Sequence, residues 1–135
     1  MHLKYEISMN IKMKKMLIVD DDFQTRHLLY AVFDHEYQVF EAADGIRALK
    51  LVVDHQPDVV LLDGMLPKLD GLTVLRAIKS DLELSHILVV MLTGRGQLSD
   101  LENGINLGAD AYFIKPFDLK KLQAWVEKNI KLRES

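Results

Sequence analysis

Short apolar runs alternate with longer amphipathic segments along most of this chain. The runs are rich in Val, Ile and Leu, and they predict buried β-strands over residues 16–19, 37–41, 59–62, 87–92 and 111–114. The segments that follow them repeat apolar residues at the spacing of one helix face, which predicts helices over residues 23–35, 46–53, 71–79, 98–107 and 119–130. The pattern therefore predicts a β–α unit repeated five times.

The predicted strands have almost continuous apolar sequences, and this indicates the fold class. Strands that are apolar on both faces are typical of a parallel sheet covered by helices on each side. Right-handed crossovers between parallel strands favour a doubly wound arrangement. With 135 residues, the chain has the length of one domain. We therefore expect an α/β fold with a single doubly wound, five-stranded parallel sheet.

Composition narrows the classes of function. The formal net charge of −3 provides no basic surface for a phosphate backbone, so we expect no direct nucleic acid binding. The longest apolar run, residues 87–92, is too short to span a membrane. The absence of cysteine excludes disulfides, thiolate zinc sites and cysteine nucleophiles, and it suits a cytoplasmic protein. The histidines lack metal-ligand spacing and are expected at the surface: His2, His27, His35, His55 and His86.

The residues that directly follow four of the predicted strands are polar. Three aspartates at 20–22 follow the first strand, Asp63 follows the third, Thr93 the fourth and Lys115 the fifth. Each has a structural interpretation when taken singly: Asp22 is equally well placed to cap a helix, and the others suit a turn, a cap or the surface. Because the carboxyl ends of parallel strands meet at one edge, we expect these side chains to converge in one cleft.

The predicted cleft combines carboxylates with an ammonium and a hydroxyl group. Carboxylates crowded together repel one another unless a cation lies among them, and an all-oxygen ligand set suits Mg²⁺. Lys115 adds a second positive charge, and Thr93 can donate a hydrogen bond to an anionic oxygen. Phosphoryl transfer depends mainly on positioning and charge neutralisation, which these groups provide. Asp63 would then be the nucleophile that forms an acyl phosphate.

Five stretches in fixed order carry a resemblance to a known family. They are residues 17–22, 57–67, 70–71, 91–94 and 108–117. Over residues 15–131 the chain resembles a receiver domain of two-component response regulators. The resemblance implies a flavodoxin-like fold with strand order 2-1-3-4-5. Residues 1–14 are an N-terminal extension outside the family pattern, for which disorder is one interpretation, and residues 132–135 form a tail.

The resemblance implies a role for each polar residue of the cleft. Asp63 corresponds to the phosphoacceptor. Asp20 and Asp21 correspond to the acidic pair that binds Mg²⁺, with Asp21 as a direct ligand and Asp20 acting largely through water. The backbone carbonyl of Met65 completes the protein's share of the metal ligands, and Lys115 pairs with the acyl phosphate.

The resemblance also implies a switch and a set of partners. Thr93 would move towards the phosphoryl group, and Tyr112 would turn into the space that Thr93 vacates. The alternative for Tyr112 is a half-buried aromatic residue of its strand with no part in the switch. Pro116 corresponds to a proline that follows a cis peptide bond. The changing surface would comprise the helix, strand and helix predicted over residues 98–130. A sensor histidine kinase or a phosphotransfer protein would supply the phosphoryl group, and the phosphorylated surface could form a homodimer. Such a protein catalyses its own phosphorylation and dephosphorylation and is not a metabolic enzyme.

Two other classes of protein use similar folds. Aspartyl phosphohydrolases also combine Asp, Lys and Thr with Mg²⁺, but their nucleophile follows the first strand and an acid follows two residues later. Here Asp63 follows the third strand, and Met65 stands two residues after it. A nucleotide- or flavin-binding protein would need a complete glycine loop. Gly94 and Gly96 hint at one, but Ser99 stands at the third glycine position.

Overall fold

The five predicted strands form one parallel sheet in the computed structural model, which describes residues 13–94 and 107–134. The strands are β1 (Lys14–Val19), β2 (Tyr37–Ala42), β3 (Val59–Asp63), β4 (Leu88–Thr93) and β5 (Ala111–Ile114). Their order in the sheet is β2-β1-β3-β4-β5. The predicted fold class and the strand order implied by the resemblance are confirmed.

Four helices lie within the described residues, close to their predicted positions. They are α1 (Phe23–Phe33), α2 (Gly45–His55), α3 (Gly71–Ser80) and α4 (Leu119–Glu134). The prediction extended α1 to His35, but the chain turns at residues 34–36 and then enters β2. The predicted helix over 98–107 lies outside the described residues except for Leu107, which belongs to a turn. No helix in the described ranges is long and apolar enough to cross a lipid bilayer.

The sheet separates two hydrophobic cores, which explains why its strands are apolar on both faces. Successive side chains of a strand point to opposite faces. Leu17 and Val19 of β1 therefore pack with α2 and α3. Met16 and Ile18 of the same strand pack with α1 and α4. All four side chains are fully buried.

Each helix begins at an aspartate whose carboxylate accepts hydrogen bonds from backbone N–H groups of the first turn. Asp22, Asp44 and Asp70 cap α1, α2 and α3, and Asp118 accepts from two N–H groups at the start of α4. The interpretation of Asp22 as a helix cap is therefore confirmed. Its pKa is lowered by the hydroxyl of Thr25, which donates to the carboxylate over 2.7 Å. These caps fix where each helix starts relative to the preceding strand.

The sheet edge opposite the strand carboxyl ends holds two further features. Lys14, Tyr37, Ile130 and Glu134 line one shallow depression of about 200 Å³, so the start of β1 and the end of α4 lie together. At this edge the prediction of surface histidines is wrong for His55, which is half-buried. Its ring stacks on Phe40 with centroids 4.2 Å apart, because an imidazole has a flat face that packs on an aromatic ring.

Candidate functional site

Residues distant in sequence meet where the strands end. Carboxylate oxygens of Asp20, Asp21 and Asp63 all lie within 4.8 Å of one another. The Lys115 ammonium lies 2.9 Å from Asp20 Oδ2 and 3.4 Å from Asp63 Oδ2. The predicted convergence of these four side chains is therefore present, and the alternative that Lys115 is a simple surface residue is wrong.

Every polar group of Asp20 forms a hydrogen bond. Its N–H donates to the carbonyl of Ala42 over 3.1 Å, and its carbonyl accepts from Arg26 Nη1 over 2.8 Å. Its carboxylate accepts from the Asp22 N–H through Oδ1 and from Lys115 through Oδ2. Only 1% of Asp20 is exposed, so these bonds compensate for the removal of a charged group from water. The sequence did not identify Arg26 as a residue of this site, because a charged residue in the first turns of an amphipathic helix is normally solvated.

Asp63 is the last residue of the central strand β3 and is also buried. Burial raises the pKa of its carboxyl, and the negative charge of Asp20 adds to the increase. The Met65 N–H, which donates to Oδ1 over 3.1 Å, and Lys115 act in the opposite direction. A positive ion beside Asp63 would favour the charged form of this carboxyl group.

Lys115 brings a positive charge to this carboxylate cluster from the end of β5. Burial alone would lower the pKa of the ammonium, but the hydrogen bond to Asp20 and the charges of Asp63 and Asp20 raise it overall. Lys115 therefore remains charged. The Lys115–Pro116 peptide bond is cis, as the resemblance implied. The Lys115 N–H donates to the Thr93 carbonyl over 2.6 Å, so the lysine and the threonine are joined through their backbones.

Thr93 and Tyr112 lie on the neighbouring strands β4 and β5. Thr93 is buried, and its hydroxyl donates to the Gly94 carbonyl over 3.4 Å rather than to Asp63. Tyr112 pairs in register with Met91 and is half-buried, with its hydroxyl oxygen out of contact with solvent. The predicted switch pair is thus on adjacent strands, and no contact joins the Thr93 hydroxyl to the carboxylates among the described residues.

The loop from β3 to α3 returns against the site through a glycine. The Gly71 N–H donates to the Gly64 carbonyl over 3.2 Å. A Cβ atom at position 71 would collide with the carbonyl of Asp63 and lie 2.8 Å from Gly64 Cα. Only glycine permits this approach, so α3 begins directly against the backbone that carries Asp63.

These groups border an open cleft of about 680 Å³. Asp21, Asp63 and Lys115 line its polar side, and the apolar side is formed by Met65, Leu66 and Pro67 of the loop that follows β3 and by Leu72 of α3. Three carboxylates face one ammonium here, which leaves two negative charges in excess. This donor set fits a hard divalent cation, with Asp20, Asp21 and Asp63 as candidate ligands.

The chain matches the family model for the response regulator receiver domain over residues 16–127. It is 40% identical over 123 residues to Sporulation initiation phosphotransferase F of Bacillus subtilis (strain 168), covering 90% of this chain and 98% of that protein. It is 42% identical over 115 residues to the DNA-binding dual master transcriptional regulator RpaA of Synechocystis, covering 84% of this chain. The chain spans about half the length of that second relative and of several others.

Solved structures agree with the sequence comparison. A CheY-like response regulator receiver domain protein from Methanospirillum hungatei JF-1 superimposes with a TM-score of 0.84 at 27% identity, covering 91% of this chain and 98% of that one. A response regulator from Chloroflexus aurantiacus J-10-fl gives a TM-score of 0.80 at 32% identity, covering 87% and 97%. The chain therefore belongs to the response regulator receiver domain family and is a receiver domain of two-component signalling.

Proposed function

We propose that Asp63 accepts a phosphoryl group in a reaction that requires Mg²⁺. The observation that carries this proposal is the position of Asp63: a buried carboxylate at the end of the central strand, beside two further carboxylates and an ammonium. A carboxylate oxygen of Asp63 attacks phosphorus, and the bond from phosphorus to the leaving group breaks. Lys115 stabilises the negative charge that builds up on the phosphoryl oxygens.

Asp20 and Asp21 would hold Mg²⁺ together with Asp63 and the backbone carbonyl of Met65, with Asp21 as a direct ligand and Asp20 acting largely through water. When bound, the metal neutralises the carboxylates and the incoming phosphoryl oxygens. The acidic cluster and the exposed position of Met65 on the rim of the cleft support this assignment. The protein thus catalyses its own phosphorylation and dephosphorylation. A sensor histidine kinase or a phosphotransfer protein is the proposed donor, and cytoplasmic location stays a prediction.

Phosphorylation at a single site tests the proposed acceptor. Incubated with Mg²⁺ and acetyl phosphate, the protein is expected to gain one phosphoryl group by intact-mass spectrometry, with release of acetate. Asp63→Asn is expected to gain none, because an amide cannot form the acyl phosphate. Asp70→Asn is the matched control: it removes a carboxylate from the same cleft but keeps a side chain that caps α3. Equal labelling of wild type and Asp63→Asn would refute the assignment.

The proposed signal is a change in the surface formed by residues 98–130. Phosphorylation adds about two negative charges, and the Thr93 hydroxyl is the donor proposed to move towards them. Thr93 already joins Lys115 through a backbone hydrogen bond, and Tyr112 lies on the neighbouring strand. The change is a shift between two existing conformations. This surface would carry the output, including a homodimer of the phosphorylated protein. The receiver domain proposed over residues 15–131 also takes in Lys14 and residues 132–134, because β1 begins at Lys14 and α4 ends at Glu134.

Amide hydrogen exchange with and without beryllofluoride tests the switch. Wild type is expected to change protection across residues 98–130. Thr93→Ala is expected to accept a phosphoryl group at Asp63 but to lose most of that response, because the hydroxyl that follows the phosphoryl group is gone. Thr73→Ala, which removes an exposed hydroxyl from α3, should respond like wild type. Protection changes confined to the surroundings of Asp63 in wild type would show that the proposed surface is wrong.

A further inference from the structure

Arg26 of α1 reaches the back of the acidic cluster, and none of the roles described above involves its charge. Its side chain is only 16% exposed. Nη1 donates to the Asp20 carbonyl over 2.8 Å, and Nε lies 3.4 Å from Glu41 Oε1 on β2. The guanidinium also lies 5.7 Å from the centre of the Phe23 ring. Arg26 therefore joins α1, the end of β1 and β2 at one point.

The carbonyl that Arg26 holds belongs to the peptide unit between Asp20 and Asp21. A peptide unit is planar, so fixing its oxygen fixes the direction in which the chain enters Asp21. The Asp21 side chain is exposed, and within residues 13–94 and 107–134 its carboxylate has no hydrogen-bond or ion-pair partner. The direction of the Asp21 carboxylate thus depends on its backbone, whereas the Asp20 carboxylate is held by its own hydrogen bonds.

The charge of Arg26 acts against any cation in the cleft. Like charges repel, and Glu41 offsets this repulsion only in part because it is itself about one third exposed. Loss of the guanidinium charge alone would therefore strengthen cation binding. Loss of the hydrogen bond to the Asp20 carbonyl would weaken it. The charge of Arg26 and its hydrogen bond thus have opposite effects on cation affinity. The direction in which the affinity changes when Arg26 is replaced therefore shows which of the two effects is larger.

We propose that Arg26 is a positioning residue of the metal centre: it holds the Asp20 carbonyl and thereby aims the Asp21 carboxylate at the cation. This inference rests on the Mg²⁺ site of the proposed function. Groups that orient metal ligands in this way typically change metal affinity by about 10- to 100-fold when they are removed.

Calorimetric titration with Mg²⁺ tests this role in the full chain. Arg26→Met is expected to weaken Mg²⁺ binding about tenfold, although it removes a positive charge. Arg76→Met, the same substitution at an exposed arginine of α3, should leave the affinity within about twofold. Glu41→Gln, which leaves the bond from Arg26 to Asp20 in place, should have a smaller effect than Arg26→Met.

A second readout separates positioning from a general loss of structure. At saturating Mg²⁺, Arg26→Met should be phosphorylated by acetyl phosphate at nearly the wild-type rate, because the affinity is altered and the reacting groups are not. A rate that stays low at saturating Mg²⁺ would overturn the positioning role. Circular dichroism in EDTA shows whether Arg26→Met folds. If it does not, Arg26→Lys tests the inference, because this variant keeps the positive charge. The inference then requires Arg26→Lys to bind Mg²⁺ more weakly than wild type.

The outcomes distinguish the inference from the function on which it rests. Absence of Mg²⁺ binding by wild type would overturn the metal site and the role of Arg26 together. Normal binding by wild type, with equal or tighter binding by the Arg26 variants, would overturn the role of Arg26 alone.

Discussion

Tyr37, at the start of β2, shows how burial alters a single ionisable residue away from the cleft. Its ring packs edge-on against Phe33 with centroids 5.9 Å apart, and only 7% of the residue is exposed. Burial raises the pKa of its phenol from 10.0 to about 12, and the nearby charges of Glu36 and Glu127 contribute to the increase. The fold therefore favours the neutral form of this side chain.

We expect Tyr37 to make the protein sensitive to alkaline pH. Below pH 10 the phenol is neutral in both states, and its contribution to stability is fully present. As the pH rises towards the folded pKa of about 12, the unfolded chain loses the proton first, so the free energy of unfolding falls by at most about 1.4 kcal/mol per pH unit. Tyr37→Phe removes this dependence. Urea unfolding of both proteins between pH 8.5 and 11.5 measures it, and a constant difference between them would contradict the prediction.

A glycine at the start of α3 allows this helix to lie close to β3. Gly71 brings the start of α3 against the carbonyl of Asp63, and the loop between them carries Met65. At a second crossing, a Cβ atom on Gly45 at the start of α2 would collide with the carbonyl of Leu69 in the same loop. The loop after β3 therefore lies between two helices, α2 and α3, that each begin with a glycine.

Gly71→Ala is expected to destabilise the fold and to slow phosphorylation. Its methyl group would push α3 away from Asp63 and Gly64, at a cost of about 2–3 kcal/mol typical of an overpacked site. Gly108→Ala is the control, because φ at Gly108 is +94° but a Cβ atom there would make only ordinary van der Waals contacts, 3.5 Å or more from the Lys79 side chain. It should lose about 1–2 kcal/mol from backbone strain alone and keep the phosphorylation rate. Chemical unfolding and acetyl phosphate labelling measure both effects, and equal labelling by the two variants would contradict this account.

The elements could largely be predicted because their signals are local. Apolar runs indicated the strands, and Asp22 was recognised as a cap for the first helix. Strand ends were less accurate: Lys14 and Lys15 belong to β1 because they pair in register with Tyr37 and Gln38, which apolar patterning cannot reveal. At the site, the residues after the strands were predicted because parallel topology places them at one edge.

Contacts that charged side chains make from positions within a helix were not predictable. Lys79 of α3 lies 2.9 Å from Asp110 and donates to the carbonyls of Ser85 and Ile87, so it joins α3 to the turn before β5. Like Arg26, it occupies a position in an amphipathic helix where a charged residue normally contacts water. The sequence contains no local signal that tells a buried ion pair from a solvated one.

For the whole molecule, the carboxylate cluster is an electrostatic cost of the metal-free fold. The three carboxylates have oxygens within 4.8 Å of one another, and the Lys115 ammonium forms ion pairs with Asp20 and Asp63 but not with Asp21. Because the Asp21 carboxylate is exposed to water, the net repulsion on it amounts to about 1 kcal/mol, the energy of one pair of like charges about 4 Å apart at the dielectric constant of bulk water. The site thus favours a bound cation at the expense of stability without one.

Asp21→Asn is expected to raise the free energy of unfolding in EDTA by about 1 kcal/mol, since it removes this repulsion with little change of shape. Mg²⁺ at ten times its Kd should stabilise wild type by about 1.4 kcal/mol but leave the variant unchanged. Urea unfolding with and without Mg²⁺ measures both effects. Glu83→Gln, at an exposed carboxylate, is the control. A destabilised Asp21→Asn in EDTA would show that the cluster is not under repulsion.

The depression shared by Lys14 and Glu134 has a consequence for how this unit combines with others. The start of β1 and the end of α4 lie together, at the edge opposite Asp63. A strand of six residues separates the two edges by about 17–20 Å. A polypeptide attached at either end would therefore leave the cleft open to a donor. The same domain can therefore precede another domain, follow it or be inserted within it, and the residues of the cleft need not change.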